Sequence, residues 1–165
     1  MTRTLLVMRH AKSAYPEGVA DHDRPLADRG NREARLAGDW IRSNAPEIDA
    51  VLCSTAARAR ETLARTNVAA PVRFRERIYD ATPGTVIDEI SRVEDDIHTL
   101  LLIGHEPAMH EVVLGLSGAE GTNDEVAAHV STKFPTSAVA VLEVDGPWRR
   151  LELGGAALVE FHVPR

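Results

Sequence analysis

Three places in this chain combine side-chain type and spacing in a way that suggests chemistry: Arg9-His10, Ser54 with Arg58, and Gly104-His105. A guanidinium stays charged at any physiological pH and grips phosphoryl oxygens with a two-pronged fork. One imidazole nitrogen can attack phosphorus and form a covalent phosphohistidine, which divides hydrolysis into two easier steps. A second, protonated imidazole would add positive charge against the equatorial oxygens of the transition state. The N–H groups opening a helix after His105 would supply further donors. These residue types therefore favour phosphoryl chemistry, provided that the three segments meet.

Each segment follows a short apolar run. Thr4–Met8, Asp49–Ser54 and Thr99–Ile103 read as strands buried on both faces. In open α/β sheets ligands bind at the carboxyl ends of the strands, where all three polar groups fall. Helices are expected over Glu33–Ser43 (with Asp28 as cap), Ala56–Thr66 (capped by Ser54 or Thr55), from Pro83-Gly84 through Val93, and over Ala108–Leu116 with Pro107 in its first turn. Val72–Phe74 reads as a less apolar strand nearer an edge. Ala138–Val144, Arg149–Leu153 and Ala157–Val163 read as further strands, the first two joined through Asp145-Gly146-Pro147. Ala11–Asp28 and Ser117–Glu125 read as loops, and the length of the first suggests function. The alternation implies a three-layer αβα sandwich on a mostly parallel central sheet, with helices on both faces. Residues 1–165 are expected to form one domain, large enough for a sizeable core.

Composition removes several classes of function. Hydrophobic residues at 44% and charged residues at 27% fit an ordinary globular protein. A formal charge of -6 argues against nucleic acid as a partner, since phosphate-backbone binding needs a basic surface. The single Cys53 cannot form an intramolecular disulfide and suits a reducing, cytoplasmic compartment. No run approaches the roughly 18 apolar residues of a membrane span, and the first apolar run is too short for a signal sequence.

Arg9-His10-Ala11-Lys12-Ser13 resembles the Arg-His-Gly signature of the histidine phosphatase superfamily. Ser54-Thr55-Ala56-Ala57-Arg58-Ala59-Arg60-Glu61-Thr62 is similar to its second block, and Gly104-His105-Glu106-Pro107 to its third. Arg24-Pro25-Leu26 followed by Arg29-Gly30 is similar to the short bacterial, SixA-like branch of phosphohistidine phosphatases. The resemblance implies a phosphoglycerate mutase-like fold. It implies His10 as nucleophile, Arg9, Arg58 and His105 holding the phosphoryl group, and Ser13 as a further phosphate contact. It also implies a carboxylate general acid after the third strand, for which Asp80 is the nearest candidate. Two positions depart from the pattern: Ala11 replaces a Gly, and Pro16 replaces an Asn that many members carry, which weighs against a phosphoglycerate-mutase-type phosphotransferase. The expected partner is a phosphorylated small molecule or a phosphohistidine-bearing protein, with no cofactor. A non-catalytic phosphate-binding module is the remaining alternative.

Plainer roles are weighed beside these. Arg58 can pair with Glu61 three residues on, and Arg60 reads as solvated. A zinc site at His105-Glu106 needs a second His four places after the first, where Met109 stands; His110 is one residue too far. Asp21-His22-Asp23 reads as a solvated loop whose closure would bring Asp23 or Arg24 near the pocket. Lys12 either steers anions or is merely exposed. Cys53 and Trp40 read as packing.

Overall fold

The computed structural model describes residues 1–165. Six strands alternate with five helices: β1 Thr2–Arg9, α1 Asp28–Asn44, β2 Ala50–Ser54, α2 Ala57–Thr66, β3 Val72–Arg75, α3 Pro83–Ser91, β4 Thr99–Gly104, α4 Ala108–Leu116, α5 Asp124–Thr132, β5 Val139–Asp145 and β6 Ala156–His162. The sheet order is β3-β2-β4-β1-β5-β6. The first four strands are mutually parallel, whereas β5 runs antiparallel to β1 and β6 antiparallel to β5.

Side chains alternate across a strand, so β1 feeds two cores. Leu6 and Met8, with Val51, Cys53, Leu101 and Ile103, pack against Ala37 and Ile41 of α1 and Ala59 and Leu63 of α2. Leu5 and Val7, with Leu52, Leu100 and Leu102, pack on the opposite face against Val86 and Ile90 of α3 and Met109 and Val112 of α4. That is the expected three-layer sandwich. None of its helices is long and apolar enough to cross a membrane.

Several details differ from the sequence reading. Arg149–Leu153 is not a strand: Trp148–Arg150 form a 3-10 turn, and the fully buried Trp148 donates its indole N–H to the Ile97 carbonyl at 2.7 Å. Seating and satisfying that indole overrides the strand tendency of the residues after it. The loop expected from Ser117 ends early, because α5 starts at Asp124 with Asn123 Oδ1 accepting from the Glu125 and Val126 N–H groups. Val126, Val130 and Phe134, at spacings of four, carry its apolar side. Helix α1 starts at Asp28 itself, α2 at Ala57 after an Ala56 cap, and Pro107 is the cap of α4 rather than part of its first turn. Trp40 is half-buried and stacks on His162, with ring centroids 4.7 Å apart and planes 3° from parallel.

Helices α1 and α2 approach closely at Gly38, where an added Cβ would lie 2.2 Å from the Thr66 carbonyl oxygen. Because that neighbour is backbone, no side chain can move aside. Gly38→Ala should therefore destabilise the protein by about 1–3 kcal/mol, seen as a lower urea midpoint at an unchanged m-value.

Candidate active site

Strand register brings the site together. Arg9 pairs with Gly104 across parallel β1 and β4, so the residues that follow, His10 and His105, leave the sheet side by side. Their ring centroids are 5.1 Å apart. Cys53 pairs with Ile103, which places Ser54 level with Gly104, and the Ser54 hydroxyl lies 2.7 Å from His105 Nε2. Ser54 also accepts the Ala56 N–H at 3.2 Å, tying the start of α2 to the same point.

The loop after β1 is pinned at both feet. Ala14 N–H donates to Pro25, Ala27 N–H donates to Lys12, and Ser13 bridges Leu26. Gly30 lets α1 rest on this turn, since a Cβ there would lie 2.1 Å from the Lys12 carbonyl oxygen. The Ala11 methyl, in place of the usual glycine hydrogen, is absorbed by Leu26 and Ala34 in a small buried cluster. Ala11 N–H donates to Thr62 Oγ1 at 2.9 Å, and that hydroxyl donates to the Arg58 carbonyl at 2.7 Å. Helix α2 and its arginine are thereby fixed relative to His10.

Arg9, His10, Arg58 and His105 line one cavity of about 190 Å³. The loop contributes Lys12, Ser13, Tyr15 and Arg24 to its wall, and Glu106 and Thr136 complete it. A concavity of about 430 Å³ beyond the end of α1 is larger but lined mainly by Ile41, Ala45, Pro46, Ile48 and Val68. Its one guanidinium, Arg42, is already bonded to the Thr66 carbonyl and to Asp39. We place the chemistry in the smaller, polar cavity.

The expected nucleophile His10 and the expected phosphate ligands Arg9, Arg58 and His105 thus meet, and Ser13 joins them, buried and accepting from Arg24 at 2.9 Å. Asp80 does not: it is exposed and absent from the cavity wall. Arg58 is buried but does not pair with Glu61, whose carboxylate accepts the Leu26 N–H instead. The Arg58 fork holds Asp21, donating to its carbonyl at 2.7 Å and its carboxylate at 3.1 Å. The Tyr79 hydroxyl donates to the same carboxylate at 2.5 Å and Arg24 at 3.1 Å, and together they hold it well below the usual carboxylate range, Tyr79 contributing most. Arg24 lies over the Tyr15 ring at 4.0 Å, whereas Arg60 is exposed over Phe74. Cys53 is buried with its thiol pushed up to about 12, an inert packing residue. No group of three or more His, Cys, Asp or Glu is disposed to hold a metal.

Sequence reasoning missed Tyr79, Thr136 and the part played by Asp21, and gave Glu106 no role beyond its place in the third family block. Tyr79 had one signal, its place beside the expected acid. Thr136 had none, since it follows a helix the periodicity did not reveal.

The two histidines differ in hydrogen bonding. His10 Nδ1 is 2.7 Å from the Ala11 carbonyl oxygen. A carbonyl only accepts, so Nδ1 carries the hydrogen and the lone pair of the neutral ring lies at Nε2. Burial pushes the His10 pKa down to about 4, opposed by that bond and assisted by Arg58, Arg9 and Arg24. Burial, then the charges of His10 and Arg58, push His105 down to about 3. His105 is thus neutral at pH 7 in the protein alone, where the sequence reading has it protonated.

A pair of guanidiniums, a tautomer-fixed imidazole and a second imidazole meet at the carboxyl ends of parallel strands, and the chain belongs to the histidine phosphatase superfamily. The profile of that superfamily's branch 1 matches residues 5–101, more than half the chain. An uncharacterized protein of Mycobacterium tuberculosis H37Rv is 61% identical over 158 residues, covering 96% of this chain and 100% of the relative. The phosphohistidine phosphatase SixA of Escherichia coli K12 is 26% identical over 147 residues, covering 86% of this chain and 85% of its own. A structure of a candidate SixA phosphohistidine phosphatase from Nakamurella multipartitia superposes with a TM-score of 0.91 at 36% identity, over 99% of this chain and 97% of that one. Family and neighbours together support a phosphatase.

The buried neutral histidines make stability depend on pH. Unfolded, each titrates near 6.5; folded, each resists protonation until about 4 or 3. Between those limits the unfolded chain binds more protons, so stability is full above pH 6.5 and falls as the pH drops towards 4. Urea midpoints across this range should decline, and the decline should be shallower in a His10→Gln, His105→Gln double variant.

Proposed function

We propose that the protein is a phosphohydrolase working through a covalent phosphohistidine at His10, with residues 1–165 acting as one histidine phosphatase domain. The observation that carries this reading is the bond from His10 Nδ1–H to the Ala11 carbonyl, which leaves the Nε2 lone pair free among the cavity's cations. His10 Nε2 attacks phosphorus in line while Arg9, Arg58 and His105 take the charge of the equatorial oxygens. Water then attacks the phosphohistidine, phosphate departs, and His10 regains its electron pair.

Arg9 Nε, Arg58 Nε and His105 Nδ1 are buried with no partner in the protein. Buried polar atoms are rarely left unpaired, and an oxyanion would pair with such donors. Burial and then neighbouring positive charge keep His105 neutral, and a dianion entering the site offsets both, so His105 takes up a proton as substrate binds. Arg58 exchanges Asp21 for the phosphoryl oxygens in the same event. No metal is required in this scheme, because guanidiniums supply the positive charge a divalent cation otherwise contributes.

The substrate class follows the SixA-type relatives: a phosphohistidine-bearing protein, or failing that a small phosphomonoester. Lone, buried Cys53 suits work in the cytoplasm. Turnover of a phosphohistidine-bearing protein and of p-nitrophenyl phosphate by wild-type and His10→Ala protein tests the proposal. The variant should lose at least about 10³-fold in kcat, EDTA should leave wild-type activity intact, and wild-type protein quenched in alkaline detergent should carry a base-stable, acid-labile phosphate on His10. Substantial turnover by the variant would overturn the nucleophile assignment.

A further inference from the structure

We propose that Glu106 is the general acid and base of this site, which equips it for phosphomonoesters of alcohols as well as phosphohistidine; this deepens, and rests on, the phosphatase reading above. A protonated imidazole leaves phosphorus unaided, but an alkoxide does not, so an alkyl ester needs a proton delivered to its bridging oxygen. Glu106 is the carboxyl group that lines the cavity with His10 and Arg9, while Asp80 is exposed outside it. It directly follows His105, so the register that seats that imidazole beside the nucleophile also brings this carboxyl to the site. One oxygen is anchored, with Glu106 Oε1 accepting the His110 N–H at 2.8 Å. The other oxygen, 3.6 Å from His110 Nδ1, makes no hydrogen bond of its own in the protein.

The surroundings favour the protonated form of Glu106 relative to an exposed carboxyl. Glu106 is half-buried, and that burial, aided by Glu111 of α4, raises its pKa. Arg9 of β1, the His110 side chain and the His110 N–H pull it the other way, and Lys12 lines the same cavity. In the first step the N–P bond forms at His10 Nε2, the P–O bond breaks, and the Glu106 proton passes to the leaving oxygen. In the second, the Glu106 carboxylate takes a proton from water as its oxygen bonds to phosphorus and the N–P bond breaks. Acid and nucleophile are both restored.

The competing role for Glu106 is purely structural, a cap on the first turn of α4. Glu106→Gln separates the two, because its amide oxygen still accepts the His110 N–H. With phosphoserine as substrate, kcat/KM should fall about 100-fold in this variant. With p-nitrophenyl phosphate, whose leaving group needs no proton, the loss should stay under about tenfold. The fall of wild-type phosphoserine turnover at alkaline pH should vanish, and Glu106→Asp, still an acid, should recover part of the loss. Equal losses on both substrates, no loss on phosphoserine, or the same loss in Gln and Asp variants would overturn the acid role. So would wild-type protein that hydrolyses phosphohistidine and the aryl ester but no alkyl ester, an outcome that leaves the phosphatase reading standing. Wild-type protein inert on all three substrates would instead sink both.

Discussion

The pairing of Arg9 with Gly104 across β1 and β4 is the constraint on which the site depends. Nothing else in the chain brings residues 95 positions apart into ring contact. A slip of one residue would turn one strand's side chains to the opposite face, driving each leucine into the wrong core and parting the two imidazoles. The slip is forbidden because both strands are buried on both faces, with Leu5 to Met8 and Leu100 to Ile103 essentially inaccessible to solvent. The two apolar cores therefore do more than hold the molecule together. They set, within a fraction of an ångström, where two imidazoles stand.

Electrostatics then acts on that geometry. Arg9, Lys12, Arg24 and Arg58 surround two buried rings, and the rings answer by giving up their protons. For a nucleophile this is the useful state, because only the neutral ring has a lone pair to offer. The arrangement is held in waiting by short polar links: Thr62 between Ala11 and Arg58, and Ser54 between His105 and the start of α2. Ser137 adds a further tie, its N–H shared between the Arg9 and His10 carbonyls with φ at +66°. A site assembled by backbone and hydroxyl contacts can keep its cations close without their own repulsion dispersing them.

Much of this was legible in the amino-acid order. Three of the four parallel strands announced themselves by apolar runs, and the polar residues at the ends of those three announced the site. What escaped notice had physical causes. Trp148 looked like the lead-in to a strand, but its burial needs an indole partner that only the Ile97 carbonyl supplies. Helix α5 hides because it is short and only Val126 and Val130 among its residues are large and apolar, a weak periodic signal. Arg58 offered a partner three residues away, yet chose Asp21, which no local spacing reveals. The family pattern pointed to Asp80 for a carboxyl, and the side chain of that turn that touches the site's residues is its neighbour Tyr79, bonded to Asp21 and edge-on to His105. Long-range partner choice is what sequence patterning leaves out.

Asp21 merits a last thought. Its carboxylate rests on the Arg58 fork as an internal surrogate anion, tethered by the long connection between β1 and α1. Any incoming oxyanion is therefore judged against a rival whose effective concentration is set by that tether and never diluted away. Weakly charged solutes lose that contest, so chloride or a lone carboxylate should be poor occupants. Under the proposed phosphatase reading the same rivalry would run in reverse after hydrolysis, the returning carboxylate helping to evict inorganic phosphate and shortening its residence.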